Sequence, residues 1–535
     1  MNTKPNYRLP NSKRNTAAGI ASTSIGAAVV YFLICLWATT QYTAHQLDYQ
    51  AALGVPLGWG IYEPWMYFVW QWKFGGVVGT EALWDKTNHF IFYAAHGIFP
   101  VAIFVAVIRA RRLSGKTDTH GSAHWATPKE IKATGLLAES RGVYVGAWTN
   151  KKGYVHYLRH DGPEHVLAFA PSRSGKGVGL VIPTLLAWPH SVVVHDIKGE
   201  NWALTAGWRQ REIGSHVLKF DPTCADGTGA RFNPLMEVRR GHWEVRDAQN
   251  IADILIDPTG EAEANHWNQT AHDLLTAVIL HTLYTSREKS LAGCLLLLAD
   301  PVRPIHDTLG FMLAGGHPTV AAVARSLLNK SEDERSGIVS TAIRALALWR
   351  DPVIAANTAA SDFRLADLMH ADRPVSLYLT VPPADLSRTR ALMRLLLSQL
   401  VRRLTERMDF ADGGPTAHYK HRLLLMLDEF AALGRLDFLQ SALGYLAGYG
   451  VKAFLIAQDL AQIYQRYTTH ESIVSGCTVR IAFAPNKPET AKLLSDMAGQ
   501  MTVFKETRTY TGSRLQPVLM HVIAAESETK RPLLT

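Results

Sequence analysis

The chain has 535 residues, 47% of them hydrophobic and 19% charged, with a formal net charge of +9. That apolar content excludes a disordered chain, and the length implies about two to four folded units. The positive balance suits an anionic partner, nucleic acid or lipid, although Lys4, Arg8, Lys13, Arg14, Arg109, Arg111, Arg112 and Lys116 supply much of it from the two ends of one short region. Cys35, Cys224, Cys294 and Cys477 lie far apart, with neither a CxxC nor a zinc spacing. They read as reduced structural thiols.

The first element in chain order is a membrane hairpin. No formal charge occurs from Asn15 to Leu47, and the apolar stretch 17–40 is long enough to cross a bilayer. A second uncharged run, from Thr87 to Ile108 with Pro100 inside it, gives a span over 89–108. Basic residues flank the pair on the outer sides. The intervening loop, 41–88, holds Asp48, Glu63, Glu81 and Asp85 against Lys73 and Lys86. The positive-inside rule then puts both chain ends, including 1–16, in the cytoplasm. Trp59, Tyr62, Trp65, Tyr67, Trp70 and Trp72 crowd the loop. Such rings favour the headgroup layer or a membrane partner. A cleaved signal peptide fits less well, because the first run lacks a small-residue cleavage pattern and a second span follows.

From Thr117 the chain reads as a soluble body. Apolar, β-rich runs recur at His165–Phe169, Ser191–His195, His216–Phe220, Val375–Val381, Leu423–Leu427, Ala453–Ala457 and Thr478–Phe483. Most lack alternation, as strands buried on both faces of a parallel sheet do. The fold class is therefore α/β, with helices on both sides of the sheet. Between the third and fourth strands, over 240–362, helical periodicity takes over: Asp273–Tyr284, Thr319–Leu328 and Glu334–Trp349. This reads as an all-α insertion. It divides a nucleotide-binding domain into 117–239 and 363–535.

The first strand runs into a glycine turn, Ala170-Pro171-Ser172-Arg173-Ser174-Gly175-Lys176-Gly177-Val178, followed by a helix that Pro189 ends. This is the P-loop arrangement, in which backbone N–H groups and a lysine hold phosphates. Ala170 replaces the first glycine of the pattern and Gly177 its hydroxyl residue. Mg²⁺ must then take a water, Ser172 or Ser174 instead. Far downstream, Leu423–Leu427 ends in Asp428 and Glu429. A carboxylate closing a buried strand is costly unless it meets a cation. Asp428 is the candidate Mg²⁺ ligand, and Glu429 the candidate that polarises the attacking water; a plain helix cap is the alternative for Glu429. Gln458 closes the next strand, facing the ligand crevice at the carboxyl edge of the sheet. It could sense the γ-phosphate, with Asp459 capping the helix after it. Asp196, Lys198 and Glu200 share a similar strand end. Arg435 and Arg480 are candidates for the arginine that such motors insert into a neighbour's site. His266-Trp267 could meet a substrate, or simply pack.

Long blocks carry a resemblance. They are His120-Gly-Ser-Ala-His-Trp-Ala-Thr127, His165 to Pro183, Val192 to Glu200, Phe232-Asn-Pro-Leu235, Asp428 to Gly434 and Gln458-Asp-Leu-Ala-Gln462. With the two-span start and the α insertion, the chain resembles the type IV secretion coupling proteins of the TraG type. The resemblance implies a RecA-like P-loop domain with an all-α domain, anchored in the bacterial inner membrane and assembled as a homo-hexamer. It implies an ATPase using ATP and Mg²⁺ that brings relaxase-bound single-stranded DNA to the secretion channel. By the same carry-over Lys176 binds phosphates, Asp428 holds Mg²⁺, Glu429 activates water and Gln458 acts as sensor, and the glycine at 177 is compatible with ATP use. Members of the family usually continue beyond Arg531-Pro-Leu-Leu-Thr535, so a terminal strand, a wall of the nucleotide site or a substrate-binding tail is expected outside this sequence. Two other readings stand beside it: a non-hydrolysing membrane adaptor, and a chromosome-segregation DNA pump of the FtsK kind.

Overall fold

In the computed structural model, residues 17–113, 121–137, 141–260, 265–411, 414–416, 418–511 and 521–534 are described. Lys4, Arg8, Lys13, Arg14 and Lys116 lie outside them. The chain divides into two compact units, Met1–His120 and Gly121–Thr535.

The first unit is built on two long helices, Ala17–Gln46 and Glu81–Leu113, with a short helix, Met66–Phe74, between them. Both long helices are of sufficient length and apolarity to cross a membrane, over Ser22–Gln46 and Glu81–Ile108. The second starts earlier than the uncharged run suggests, because Glu81, Asp85 and Lys86 extend it by two turns and Glu81 suits a helix N-terminus. The aromatic loop is only half a surface feature. Trp59, Trp65 and Trp72 are exposed, but Tyr62, Tyr67 and Trp70 are buried in a small core with Leu36, Leu53 and Trp84. The indole of Trp70 donates to Leu53 O at 2.9 Å. Half the rings therefore fold the loop and are unavailable to lipid.

In the second unit a hairpin, β1 (Val143–Thr149) and β2 (Val155–His160), precedes the sheet. The strands β3 (Val166–Phe169), β4 (Ser191–Asp196), β5 (His216–Phe220) and β6 (Val375–Thr380) follow in turn. After a short hairpin, β7 (Asp409–Ala411) and β8 (Gly414–Thr416), come β9 (Leu423–Leu427), β10 (Val451–Ala457) and β11 (Val479–Ala482). A last hairpin pairs β12 (Gln500–Thr511) with β13 (His521–Pro532). The main sheet has seven parallel strands in the order β11-β3-β10-β9-β4-β6-β5. Every apolar run expected to be a strand is in it.

Residues on the central strands point alternately to two cores, as the two-residue strand period requires. Leu167, Phe169, Val193, Leu425 and Leu455 face one side, Val166, Ala168, Val192, Met426 and Phe454 the other. The first side is continuous with the helices that follow β5. Among the described residues of 240–362 there is no strand, and Ile251, Leu274, Val278 and Ile338 join the sheet's own core. The all-α region has no separate interior; its apolar helix faces are buried by the sheet.

The hairpins were not visible in the sequence. The strands of the first hairpin, β1 and β2, are partly exposed, and the hairpin strands mix polar with apolar residues instead of carrying the continuous apolar signal of the sheet. One of them explains a family-like block: Ala123 N donates to Gln500 O at 3.1 Å and Thr502 N to Gly121 O at 3.2 Å. Gly121-Ser122-Ala123 thus runs along the edge of β12, and Gly121 comes so close that an added Cβ would lie 2.2 Å from Gln500 O.

Candidate functional site

The carboxyl edge of the sheet collects the chemistry. The strands β3, β9 and β10 are neighbours and parallel, so the residues that follow them meet although they are far apart in the chain.

After β3 the chain makes a tight loop. Ala170 N donates to Ala457 O at 2.8 Å, continuing the sheet by one residue. Arg173 and Gly175 then take left-handed backbone angles, φ 63° and 85°. A side chain at 173 carries strain of about 1 kcal/mol; Gly175 carries none. Lys176 returns to helical angles, and Gly177–Val181 forms a π-helical turn that passes into the helix Ile182–Ala187. The loop Pro171–Lys176 therefore opens onto a helix N-terminus, where N–H groups lack intrahelical partners. Pro171 is buried, Ser172, Arg173 and Val178 are exposed, and Ser174 is partly covered.

The Lys176 ammonium lies 2.9 Å from Asp428 Oδ1 and 3.4 Å from Glu429 Oε2. The contact to Asp428 is an ion pair only, since Oδ1 is buried and has no hydrogen bond of good angle. Glu429 is the most connected group. Its Oε2 accepts from Gln458 Nε2 at 3.0 Å and its Oε1 from Gln462 Nε2 at 3.1 Å. Its backbone is left-handed, φ 64°, which turns the carboxylate back toward Lys176. It does not cap a helix through its side chain. Asp459 does: its carboxylate accepts from Gln462 N at 2.9 Å. That cap sets the helix Leu460–Tyr467 so that Gln458 and Gln462, one turn apart, both reach Glu429.

His195 and Gln462 are parts of the arrangement to which sequence reasoning assigned no role. His195 is the last residue but one of β4, beside Leu427 of β9, fully buried, and its Nδ1 lies 3.2 Å from Asp428 O. Burial depresses its pKa, partly offset by that carbonyl and by Asp428 and Glu429. The neutral ring donates from Nδ1 and props the backbone at Asp428. Both residues stood inside quoted blocks; a polar residue at the end of a buried strand, and a glutamine four after another, were the available signals. Asp196 is also buried, and burial raises its pKa against the N–H groups of Trp202, Asn201 and Gly199. Its Oδ2 accepts from Trp202 N at 2.8 Å, so it starts the helix Glu200–Arg211.

Other candidates have structural partners. Arg480 Nε donates to Val474 O and Cys477 O, both at 3.1 Å. Arg435 is paired with Asp437 at 2.7 Å and remains partly exposed. His266 pairs with Glu334 at 2.9 Å, and the Trp267 ring covers Gly337. Both tie one helix of the all-α region to another.

Among the described residues no group of three or more His, Cys, Asp or Glu side chains could hold a metal alone. That fits a Mg²⁺ ion carried mostly by phosphates and water, with one carboxylate from the protein. Two oxygens in the loop and the acid pair, Ser174 Oγ and Asp428 Oδ1, are buried without a hydrogen bond and so are available as ligands.

A parallel sheet with a phosphate loop after one strand and an acid pair after another defines a RecA-like P-loop nucleotide-binding protein, here preceded by two apolar helices of membrane-crossing length. A family model described as type IV secretory system conjugative DNA transfer matches residues 116–535. The chain is 42% identical to a conjugal transfer protein TraG of Escherichia coli, over 99% of this chain and 87% of that protein. It is 29% identical to a VirD4 protein of Rhizobium radiobacter, over 80% and 63%. Among solved structures, a conjugative coupling protein TrwB lacking its N-terminal region, with sulphate, superposes with a TM-score of 0.57 at 15% identity, covering 78% of this chain and 88% of that one. TrwB in complex with ADP and Mg²⁺ gives 0.54 at 16%, over 73% and 86%. The chain belongs to the type IV secretory conjugative DNA-transfer family of TraG-like coupling proteins. That membership disfavours a chromosome-segregation pump.

Proposed function

We propose that this chain is an inner-membrane ATPase that brings relaxase-bound single-stranded DNA to a type IV secretion channel and drives its transfer, working as a homo-hexamer with both termini cytoplasmic. The observation that carries the reading is the meeting of Lys176, Asp428, Glu429 and Gln458 at one sheet edge. In this reading Pro171 to Val178 wrap the phosphates of ATP with backbone N–H groups, and Lys176 leaves the acid pair to meet the β- and γ-phosphates. Asp428 then holds Mg²⁺, which neutralises phosphate charge when bound. Glu429 is released from Lys176 but stays oriented by Gln458 and Gln462, so it can accept a proton from the attacking water. Gln458, bonded to Glu429 on one side and facing the crevice on the other, reports the γ-phosphate. The exchange of Lys176 between carboxylates and phosphates is the local switch that hydrolysis would reset.

TrwB structures hold a nonhydrolysable ATP analogue and ADP with Mg²⁺, which supports the choice of nucleotide and metal. The two apolar helices support the membrane anchor. Lys176→Ala in the full chain removes the phosphate cation and leaves two carboxylates facing each other. Plasmid transfer from donor cells carrying it, at normal protein level, is expected to fall at least 100-fold, in line with the loss of a main electrostatic contact. Transfer at the parental frequency would overturn the ATPase reading.

A further inference from the structure

We propose that the cleft between the all-α region and the helix Leu386–Leu404 takes the phosphodiester backbone of single-stranded DNA and loads it against the chain segment that follows Glu429. The inference rests on the function proposed above and gives it a place on the molecule.

The cleft has a volume of about 690 Å³. Four arginines line it: Arg344 at the end of the helix Glu332–Ala345, Arg350 at the end of the turn Ala347–Arg350, and Arg388 and Arg390 in the first turns of Leu386–Leu404. Arg388 is neutralised by Asp351 at 2.6 Å and Asp385 at 2.9 Å. Among the described residues the other three have no ion-pair partner, and Arg390 Nε is buried with no hydrogen bond. Like charges gathered from three separate elements repel unless an anion joins them. The remaining lining is the Asp351 carboxylate, already paired with Arg388, the small polar residues Thr259 and Ser387, and small or aliphatic residues including Leu255, Leu348 and Ala391. It has no aromatic ring on which a base could stack and no amide that could read one. Such a surface grips phosphates without reading sequence, as a motor that moves any strand requires.

The cleft also reaches the chain segment that follows Glu429. Thr259 lines it, and the Thr259 carbonyl accepts from Arg435 N at 3.1 Å. Gly434, at φ +80°, comes so close that an added Cβ would lie 3.0 Å from that carbonyl and 3.3 Å from Arg394 Nη1. Arg394 is 3% exposed, with Nε and Nη1 unbonded. It lies one helical turn beyond Arg390. An anion drawn onto Arg390 thus bears on the wall packed against Gly434 and Arg435, five and six residues after Glu429.

The test is fluorescence anisotropy of a mixed-sequence, labelled single-stranded oligonucleotide with the full chain in detergent, at several KCl concentrations and without nucleotide. The Arg344→Ala/Arg350→Ala chain is expected to bind several-fold more weakly at low salt. Its plot of log affinity against log salt should be shallower by about 1.4, the loss of two phosphate contacts to a single strand. The Arg344→Lys/Arg350→Lys chain should keep the parental slope. An alanine variant with parental affinity and slope overturns the proposal. So does one that keeps its DNA slope but loses affinity for a fluorescent ATP analogue, since the arginines would then serve a nucleotide, such as one on a second copy. Because the DNA measurement contains no nucleotide, a chain without ATP turnover would defeat the ATPase reading and still decide this one.

Discussion

Glu429 shows how much one residue's surroundings decide. Four side chains fix its carboxylate or share its charge: Lys176, Gln458, Gln462 and, through the adjoining backbone, His195. Glu429→Gln keeps the shape and one of the two amide contacts but loses the proton acceptor. Nucleotide affinity should stay within a few-fold of the parent while ATP turnover falls about 10²–10⁴-fold, measured side by side on the purified full chain. Equal losses of both would make Glu429 a binding group instead. Gly177 is the opposite case. A Cβ there meets nothing within 4 Å, and the flanking backbone is helical. Gly177→Ser should therefore fold normally and add the hydroxyl that the P-loop pattern usually carries. The Mg²⁺ concentration for half-maximal turnover is expected to drop; a rise would mean that Ser174 or a water already fills that place better.

The elements below the site are held by a buried lysine. Lys452 is the second residue of β10, 1% exposed, on the strand that Gln458 directly follows. Its ammonium donates to Gly162 O at 2.7 Å and to His160 O at 3.4 Å, and contacts His160 Nδ1 at 2.7 Å. It thereby ties β10 to the turn between β2 and β3. Burial, and then Arg422 nearby, pull its pKa down to about 7. A lysine depressed in the folded state is bound by protons more readily when unfolded, so stability rises with pH between about 7 and the usual lysine value near 10.4. Below about 7 the full penalty is present. Comparing melting temperatures of the parent and Lys452→Met at pH 7 and pH 9, the parent should gain on the variant as pH rises. A constant gap would show that the acceptors around the ammonium cancel its desolvation.

For the molecule as a whole, the proposed topology puts the loop between the two long helices outside and the second unit inside. Trp59 is fully exposed in the loop between the two long helices. Lys151, in the turn of the β1–β2 hairpin, is exposed in the other unit. In intact cells Trp59→Cys should react with a membrane-impermeant maleimide, and Lys151→Cys only after permeabilisation, each in a chain stripped of its native cysteines. The reverse pattern would invert the proposed topology.

Sequence alone located all seven strands of the sheet, because a strand buried on both faces must be apolar throughout and such runs stand out. It also singled out Lys176, Asp428, Glu429 and Gln458, which the structure brings together, because a lysine in a glycine turn and a polar or charged residue after an apolar run are conspicuous. The two long apolar helices were legible from the length and apolarity of the two uncharged runs. The hairpins were not, since their strands mix polar with apolar residues and carry no continuous apolar signal. Nor was the division of the aromatic loop, where composition is the same for rings that fold the loop and rings that leave it. Only the strand order decided the rest. It sets β3, β10, β9 and β4 side by side, and so brings residues 176, 429, 458 and 195 together. It also lays the α region on the sheet, which gathers Arg344, Arg350 and Arg390 from segments whose spacing in the chain gives no sign of a common cleft.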